Sequence, residues 1–130
     1  MRHAILTLFL LASPALADPR IAGTYEGIIQ SAGQNLPGTT RLMVSDTGVI
    51  GGAYLYQDGD TQGTGQLRGC DFDGRILRCA WFDRYGTGTL VAAFDPDFRA
   101  FRGSWFDVSL PQPHDRPDGG YPWTGNRVGD

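Results

Sequence analysis

Few residues of this chain are of the types that enzymes use for catalysis. His114 lies beside Asp115, and such a pair supports acid–base chemistry only when both side chains face one reacting group, which neighbours in a loop seldom do. The other histidine, His3, lies in an apolar N-terminal segment, and no serine stands in the Gly-x-Ser-x-Gly setting of a hydrolase nucleophile. We interpret His114 as a solvated loop residue and predict no catalytic residue, with a hydrolase as the most distant alternative.

The acidic residues form turn signals rather than a metal-binding loop. Asp58 and Asp60 flank a glycine, and Asp95 and Asp97 flank a proline, but neither pair continues into the twelve-residue calcium loop that ends in glutamate. Aspartate is also common in turns because its side chain accepts hydrogen bonds from nearby backbone amides. A zinc site needs three or four suitably spaced ligands. We therefore predict no metal site and no cofactor.

The two cysteines, Cys70 and Cys79, are nine positions apart. A two-residue turn at Gly74 and Arg75, of the Gly-X kind that suits a type II′ hairpin, places them directly opposite each other. Opposed strand residues lie close enough for a disulfide. Closing so short a loop contributes about 2.5–3 kcal/mol in the chain-entropy model. The alternative is a pair of buried free thiols.

Two further pairs in this hairpin support the same register. It sets Asp71 against Arg78 as an ion pair and Phe72 against Leu77 as an apolar pair. A turn centred on residues 73–74 is an equally common hairpin signal, but it leaves the cysteines one step out of line. We therefore predict a disulfide-linked antiparallel hairpin.

Tyrosine and tryptophan are unusually abundant for a chain of this length. Three interpretations are open: the rings fill the core, line a small-ligand pocket at a barrel mouth, or form an outward platform for a partner. Core filling is the favoured interpretation. The residues considered for these roles are Tyr25, Tyr54, Tyr56, Trp81, Tyr85, Trp105 and Trp123. The predicted ligand- or partner-binding residues are Trp81, Tyr85, Trp105, Trp123 and Arg68. The hairpin register sets Arg68 opposite Trp81, where a cation–π stack is expected.

Residues 1–17 have the pattern of a signal peptide. Arg2 provides a basic start, residues 4–11 are apolar, and residues 15–17 (Ala-Leu-Ala) fit a cleavage site after Ala17. The apolar run is too short to span a bilayer. We predict a bacterial periplasmic or secreted protein with one β domain over residues 18–130 and no membrane insertion, and an oxidising compartment agrees with the disulfide.

The charge balance is acidic. Every basic side chain other than histidine is arginine, and cleavage removes Arg2 from the eleven, leaving ten arginines against fourteen acidic groups and a formal net charge of −4. An acidic chain with scattered arginines is poorly suited to the phosphate backbone of nucleic acid. We therefore predict no nucleic-acid partner.

Short alternating segments separated by turn signals, without helical periodicity, predict an all-β protein. About eight strands are expected, at residues 21–29, 39–45, 49–56, 61–70, the second half of the cysteine hairpin ending at 81–82, 88–94, 99–106 and 121–126. Residues 31–38 and the proline- and glycine-rich residues 109–120 are expected to be loops. Short connections favour an antiparallel up-and-down meander that forms a closed or partly open small barrel.

Glycines recur beside aromatic residues. Residues 23–27 (Gly-Thr-Tyr-Glu-Gly), 86–90 (Gly-Thr-Gly-Thr-Leu) and 101–105 (Phe-Arg-Gly-Ser-Trp) resemble MORN repeats, whose hairpins carry aromatic-x-Gly-x-aromatic strands followed by Gly-x-Gly-x-Leu. The resemblance covers about a quarter of the chain, and the spacing between its units is irregular. The Gly-Thr-aromatic opening and the late tryptophans also resemble avidin-type barrels, although that family's biotin-contacting residues have no counterparts that can be placed here.

These observations lead to one main functional hypothesis. We expect a secreted or periplasmic, non-catalytic β-barrel-like protein that binds an unidentified small molecule or protein partner at one open end, flanked by residues 109–120. The alternative, which the first resemblance implies, is a MORN-like structural or protein-interaction module without a pocket.

Overall fold

The structure, a computed structural model, describes residues 18–130, and the predicted signal peptide at residues 1–17 lies outside them. A short 3₁₀ turn, Pro19–Ile21, precedes eight strands. The strands are β1 (Gly23–Ser31), β2 (Gln34–Val44), β3 (Ile50–Asp58), β4 (Thr61–Phe72), β5 (Ile76–Asp83), β6 (Gly86–Phe94), β7 (Ala100–Asp107) and β8 (Tyr121–Gly129). No helix among residues 18–130 has the length and apolar character needed to cross a bilayer.

The eight strands form a closed barrel. Each strand pairs antiparallel with the next one in sequence, and β8 pairs with β1, where Ile29 lies opposite Trp123. The predicted all-β meander is therefore confirmed, and the sheet closes rather than remaining open. Pro122 is accommodated in β8 because the pairing with β1 ends at Trp123. Beyond that residue no amide donor toward β1 is required.

The predicted loop at residues 31–38 is wrong, because most of it belongs to strand β2. Ser31 pairs with Gln34 across a two-residue turn in which both Ala32 and Gly33 have positive φ, at 50° and 77°. Two positive φ values are the requirement of a type I′ turn, which alanine seldom meets. Pro37 fits within β2 because the ladder between β2 and β3 begins one residue later.

The cysteine hairpin has the predicted turn and pairs. Asp71 lies opposite Arg78 and Phe72 opposite Leu77, and Gly74 alone has positive φ in the two-residue turn. Cys70 and Cys79 form the disulfide, with their Cα atoms 4.1 Å apart. The sequence therefore determined this hairpin correctly near its turn.

Beyond the disulfide the register shifts by one residue. Gly69 has φ of +59° and forms a bulge between the pair Asp71–Arg78 and the pair Arg68–Ala80. Arg68 consequently faces outward, and its guanidinium lies 5.4 Å from the centre of the Phe82 ring. The predicted stack of Arg68 on Trp81 is wrong, because Trp81 lies opposite Leu67 on the inner face.

One end of the barrel is filled by side chains. Ile21 and Phe98 are buried there, and the Tyr25 hydroxyl donates to the Ile21 carbonyl at 2.8 Å. Arg127 extends across this end, where Nε donates to the Phe98 carbonyl at 2.8 Å and Nη2 donates to the Tyr25 hydroxyl at 2.8 Å. We call it the closed end, and the other end of the barrel the open end.

The loop of residues 109–120 leaves and rejoins the barrel at the open end, but its body packs against the outer wall. His114, which we interpreted as solvated, is half-buried and stacks on Phe106 with ring centres 4.8 Å apart. Ser104 Oγ donates to the Pro117 carbonyl at 2.7 Å. The loop thus covers the outward-facing Phe106, which is fully buried, and forms a small second core outside the barrel.

Candidate functional site

The open end contains a cavity of about 100 Å³. Its wall is aromatic, with carboxylates at the rim. All three tryptophans of the chain take part. The principal lining residues are Trp81, Trp105, Trp123, Tyr54, Tyr56 and Asp83.

Strand alternation explains why these side chains meet. Residues two apart in a strand point to the same face, so Trp81 and Asp83 in β5, and Trp105 and Asp107 in β7, all point inward near the open end. Trp123 lies near the start of β8, which is antiparallel to β7. The start of β8 is therefore at the open end, beside the end of β7 that carries Trp105. Barrel closure then brings the strands into one ring around the cavity.

Glycines on intervening strands make room for the large rings. Tyr54 lies opposite Gly65, and a Cβ added to Gly65 would overlap the Tyr54 ring. Gly88 lies opposite Trp81, and a Cβ there would lie 2.7 Å from the indole nitrogen. The recurrent association of glycine with aromatic residues is therefore a cross-strand arrangement that lets a ring lie flat over a neighbouring backbone.

The indole N–H groups are all used within the protein. The donor–acceptor distances are 3.1 Å from Trp81 to the Phe106 carbonyl, 2.8 Å from Trp105 to the Gln30 carbonyl, and 2.8 Å from Trp123 to the Thr40 hydroxyl. These bonds fix the orientation of each ring. They also leave ring carbons, rather than N–H donors, for contact with a ligand.

The rings meet edge to face. Trp81 and Trp105 have centres 5.5 Å apart and planes at 86°, and Tyr54 and Trp123 have centres 4.7 Å apart and planes at 68°. Such pairs are favourable because the positive edge of one ring meets the negative face of the other. Perpendicular rings also form a corner with two walls, into which a compact group fits.

Asp83 is the polar centre of the site. Its Oδ2 accepts a hydrogen bond from the Tyr54 hydroxyl at 2.7 Å, and its Oδ1 accepts one from the Tyr85 amide at 2.8 Å. Burial, followed by the hydrogen bond and charge of Asp83, raises the pKa of Tyr54 far above its ordinary value. Burial and the same carboxylate also raise the pKa of Tyr56. Burial and the carboxylate thus favour the neutral forms of Tyr54 and Tyr56.

The predicted binding residues are only partly brought together. Trp81, Trp105 and Trp123 line the cavity, Tyr85 lies at its rim with 66% of its surface exposed, and Arg68 lies on the outer wall. Sequence reasoning did not identify Asp83 or Asp107 as site residues. Each carboxylate follows a tryptophan by two positions in the same strand, and this spacing was the available signal.

Comparison with protein-family models, with curated proteins and with solved structures finds no match to this chain. Within residues 18–130, no three histidine, cysteine or acidic side chains are grouped closely enough to hold a metal ion.

Proposed function

We propose that this chain is an exported, non-catalytic β-barrel protein that binds a small ligand in the aromatic pocket at its open end. The observation that carries the proposal is the convergence of all three tryptophans on one cavity, since core packing alone does not require them to surround unfilled space. A concave site with an apolar wall and a few oriented polar groups is the usual form of a small-molecule site.

The size of the cavity limits what enters it. An engineered cavity of ~150 Å³ holds a benzene molecule, and the pocket here is of the same order at about 100 Å³. We therefore infer that the pocket takes a single small ring, or the compact end of a longer molecule whose remainder lies in the mouth. Export to an oxidising compartment is supported by the disulfide.

Intrinsic fluorescence tests this function directly, because every tryptophan lines the pocket. Titration with a panel of small metabolites should change the emission with saturation for at least one compound. Trp105→Ala should weaken that binding about tenfold or more, because it removes one wall of the pocket. Phe82→Ala, on the outer wall, is the matched control and should bind normally.

Two outcomes would contradict the proposal. One is a panel without a saturable response, which the alternative of a MORN-like interaction module predicts. The other is unchanged binding by Trp105→Ala, which would place the ligand elsewhere.

A further inference from the structure

We propose that the ligand group held in this pocket is a compact organic cation, such as a quaternary ammonium group. The inference rests on the proposed binding function and adds the chemical class of the ligand. Its basis is the combination of perpendicular aromatic walls with carboxylates at the rim.

The walls suit a cation because they are aromatic and because their indole N–H donors are engaged within the protein. Trp81 and Trp105 form a corner of two indoles at 86°, and both indole N–H groups are bonded to backbone carbonyls. A cation within about 6 Å of a ring centre is attracted by the negative face of the ring, most strongly for tryptophan, and desolvation strengthens the attraction. Cages of this kind recognise quaternary ammonium groups.

The charged groups that line the pocket are all negative. Asp83 and Asp107 supply them, and the lining residues among the described part of the chain include no arginine, lysine or histidine. Asp107 accepts hydrogen bonds from the amide and the hydroxyl of Ser109, and these hold its pKa below the ordinary value, so it stays ionised. An anionic ligand would therefore meet repulsion from both carboxylates.

The donors near Asp83 are already engaged and do not neutralise it. The Tyr54 hydroxyl donates a hydrogen bond to the carboxylate but brings no positive charge. Arg84, on the neighbouring turn, is exposed and engages Tyr85, to whose hydroxyl its Nη2 donates at 2.7 Å. Its guanidinium lies 4.9 Å from the centre of the Tyr85 ring. Arg84 forms no ion pair with Asp83, so this carboxylate has no cationic partner within the described residues, although the charge of Arg84 reaches Tyr56 in the same pocket.

Three probes of nearly the same shape separate charge from size. Choline carries the trimethylammonium cation, 3,3-dimethylbutan-1-ol replaces its nitrogen with carbon, and 3,3-dimethylbutanoate carries a negative charge. With the full exported chain, fluorescence titration should give a dissociation constant for choline at least about tenfold lower than for the neutral alcohol. The butanoate should bind more weakly than the alcohol.

Variants then assign the preference to the carboxylates. Asp83→Asn keeps the acceptor for Tyr54 and should reduce the ratio of the dissociation constants for the neutral alcohol and choline to about twofold, whatever its effect on either constant alone. Asp107→Asn is a second, independent variant, and it should also reduce the preference for choline over the neutral alcohol. Asp60→Asn removes one charge from the exposed turn between β3 and β4 at the same end of the barrel, so it is the matched control and should retain the preference.

The outcomes distinguish the two proposals. Binding of the neutral alcohol or the butanoate as tightly as choline would overturn the cation inference while supporting a small-ligand site. Retention of the full choline preference in both Asp83→Asn and Asp107→Asn would overturn the role of the carboxylates. Absence of binding by all three probes would overturn the cation inference, and a silent metabolite panel would contradict the binding function as well.

Discussion

Tyr54 links the stability of the barrel to pH. Burial and the Asp83 carboxylate favour its neutral form, so its pKa in the folded protein lies above the value of about 10 that it has in the unfolded chain. A group whose pKa is raised by folding contributes its full stability below the unfolded pKa. Above that pH the unfolded state loses the proton first, so the free energy of unfolding falls as pH rises.

We expect this alkaline decline to depend on Tyr54. At about pH 8, Tyr54→Phe should be less stable than the original chain by about 1–2 kcal/mol, because the hydrogen bond to Asp83 is lost. The difference should shrink between about pH 10 and pH 11, because phenylalanine does not ionise. Urea unfolding at several pH values measures it, with the exposed Tyr85→Phe as control. A constant difference across this range would contradict the assignment.

Gly65 is a residue at which the packing beside the pocket is tight. The Tyr54 ring covers its α-carbon, is almost fully buried, and is held by the bond to Asp83, so it cannot move aside freely. A side chain at this position would therefore occupy space that the Tyr54 ring already fills.

Gly65→Ala should lower the free energy of unfolding by about 1–3 kcal/mol, as overpacking does in other cores. The control is Gly51→Ala in β3, where the nearest atom to an added Cβ is 3.4 Å away and the change should stay within about 0.5 kcal/mol. Denaturant unfolding compares the two variants. Equal stability for both would show that the ring does not pack as described.

At the scale of the element, the cysteine hairpin is the most constrained part of the barrel. The disulfide, the turn at Gly74 and the bulge at Gly69 lie within a dozen residues, and together they fix where β4 bends. The bulge also turns Arg68 to the outer wall. The bulge thus places Leu67, rather than Arg68, opposite Trp81 on the inner face.

Replacing both cysteines, Cys70→Ser with Cys79→Ser, should lower the free energy of unfolding by about 2.5–3 kcal/mol, because the unfolded chain regains the entropy of the open loop. Denaturant unfolding with and without a reducing agent measures the effect. The original chain should lose stability in the reductant and the double variant should not. Equal sensitivity to the reductant would mean that the disulfide is not the source of the difference.

At the scale of the whole molecule, closure removes the exposed strand edges that an open meander would have. β1 pairs with β2 along its whole length and with β8 at Thr24, Tyr25, Glu26 and Ile29, so both sides of β1 have a strand partner. Unpaired edges template aggregation, and a closed sheet avoids that hazard.

Hydrogen exchange should reveal this closure. We expect the β1 amides that point toward β8 to be protected about as strongly as amides in the central strand β4, because both exchange only when the barrel opens. Exchange followed by NMR resolves them, with the amides of Asp46 and Thr47, in the turn between β2 and β3, as the unprotected control. Fast exchange at alternate β1 positions would indicate an open sheet.

Several features of the fold could be predicted from local sequence, and the errors have specific causes. The period-two patterns predicted the strands, and three cross-strand pairs predicted the cysteine register. The loop expected at residues 31–38 was wrong because Ala32 adopts a positive φ that alanine rarely takes. Arg68 was misplaced because the sequence does not indicate that Gly69 forms a bulge.

The sequence by itself determined the class of fold, the hairpin that carries the disulfide and the supply of aromatic rings, because these follow from side-chain type and spacing over a few residues. Only the tertiary structure decided that β8 returns to β1 and that Trp81, Trp105 and Trp123 meet Asp83 around one cavity. Closure depends on twist and stagger accumulated over all eight strands. No local sequence pattern specifies this accumulated twist and stagger, so the pocket forms only when the barrel is complete.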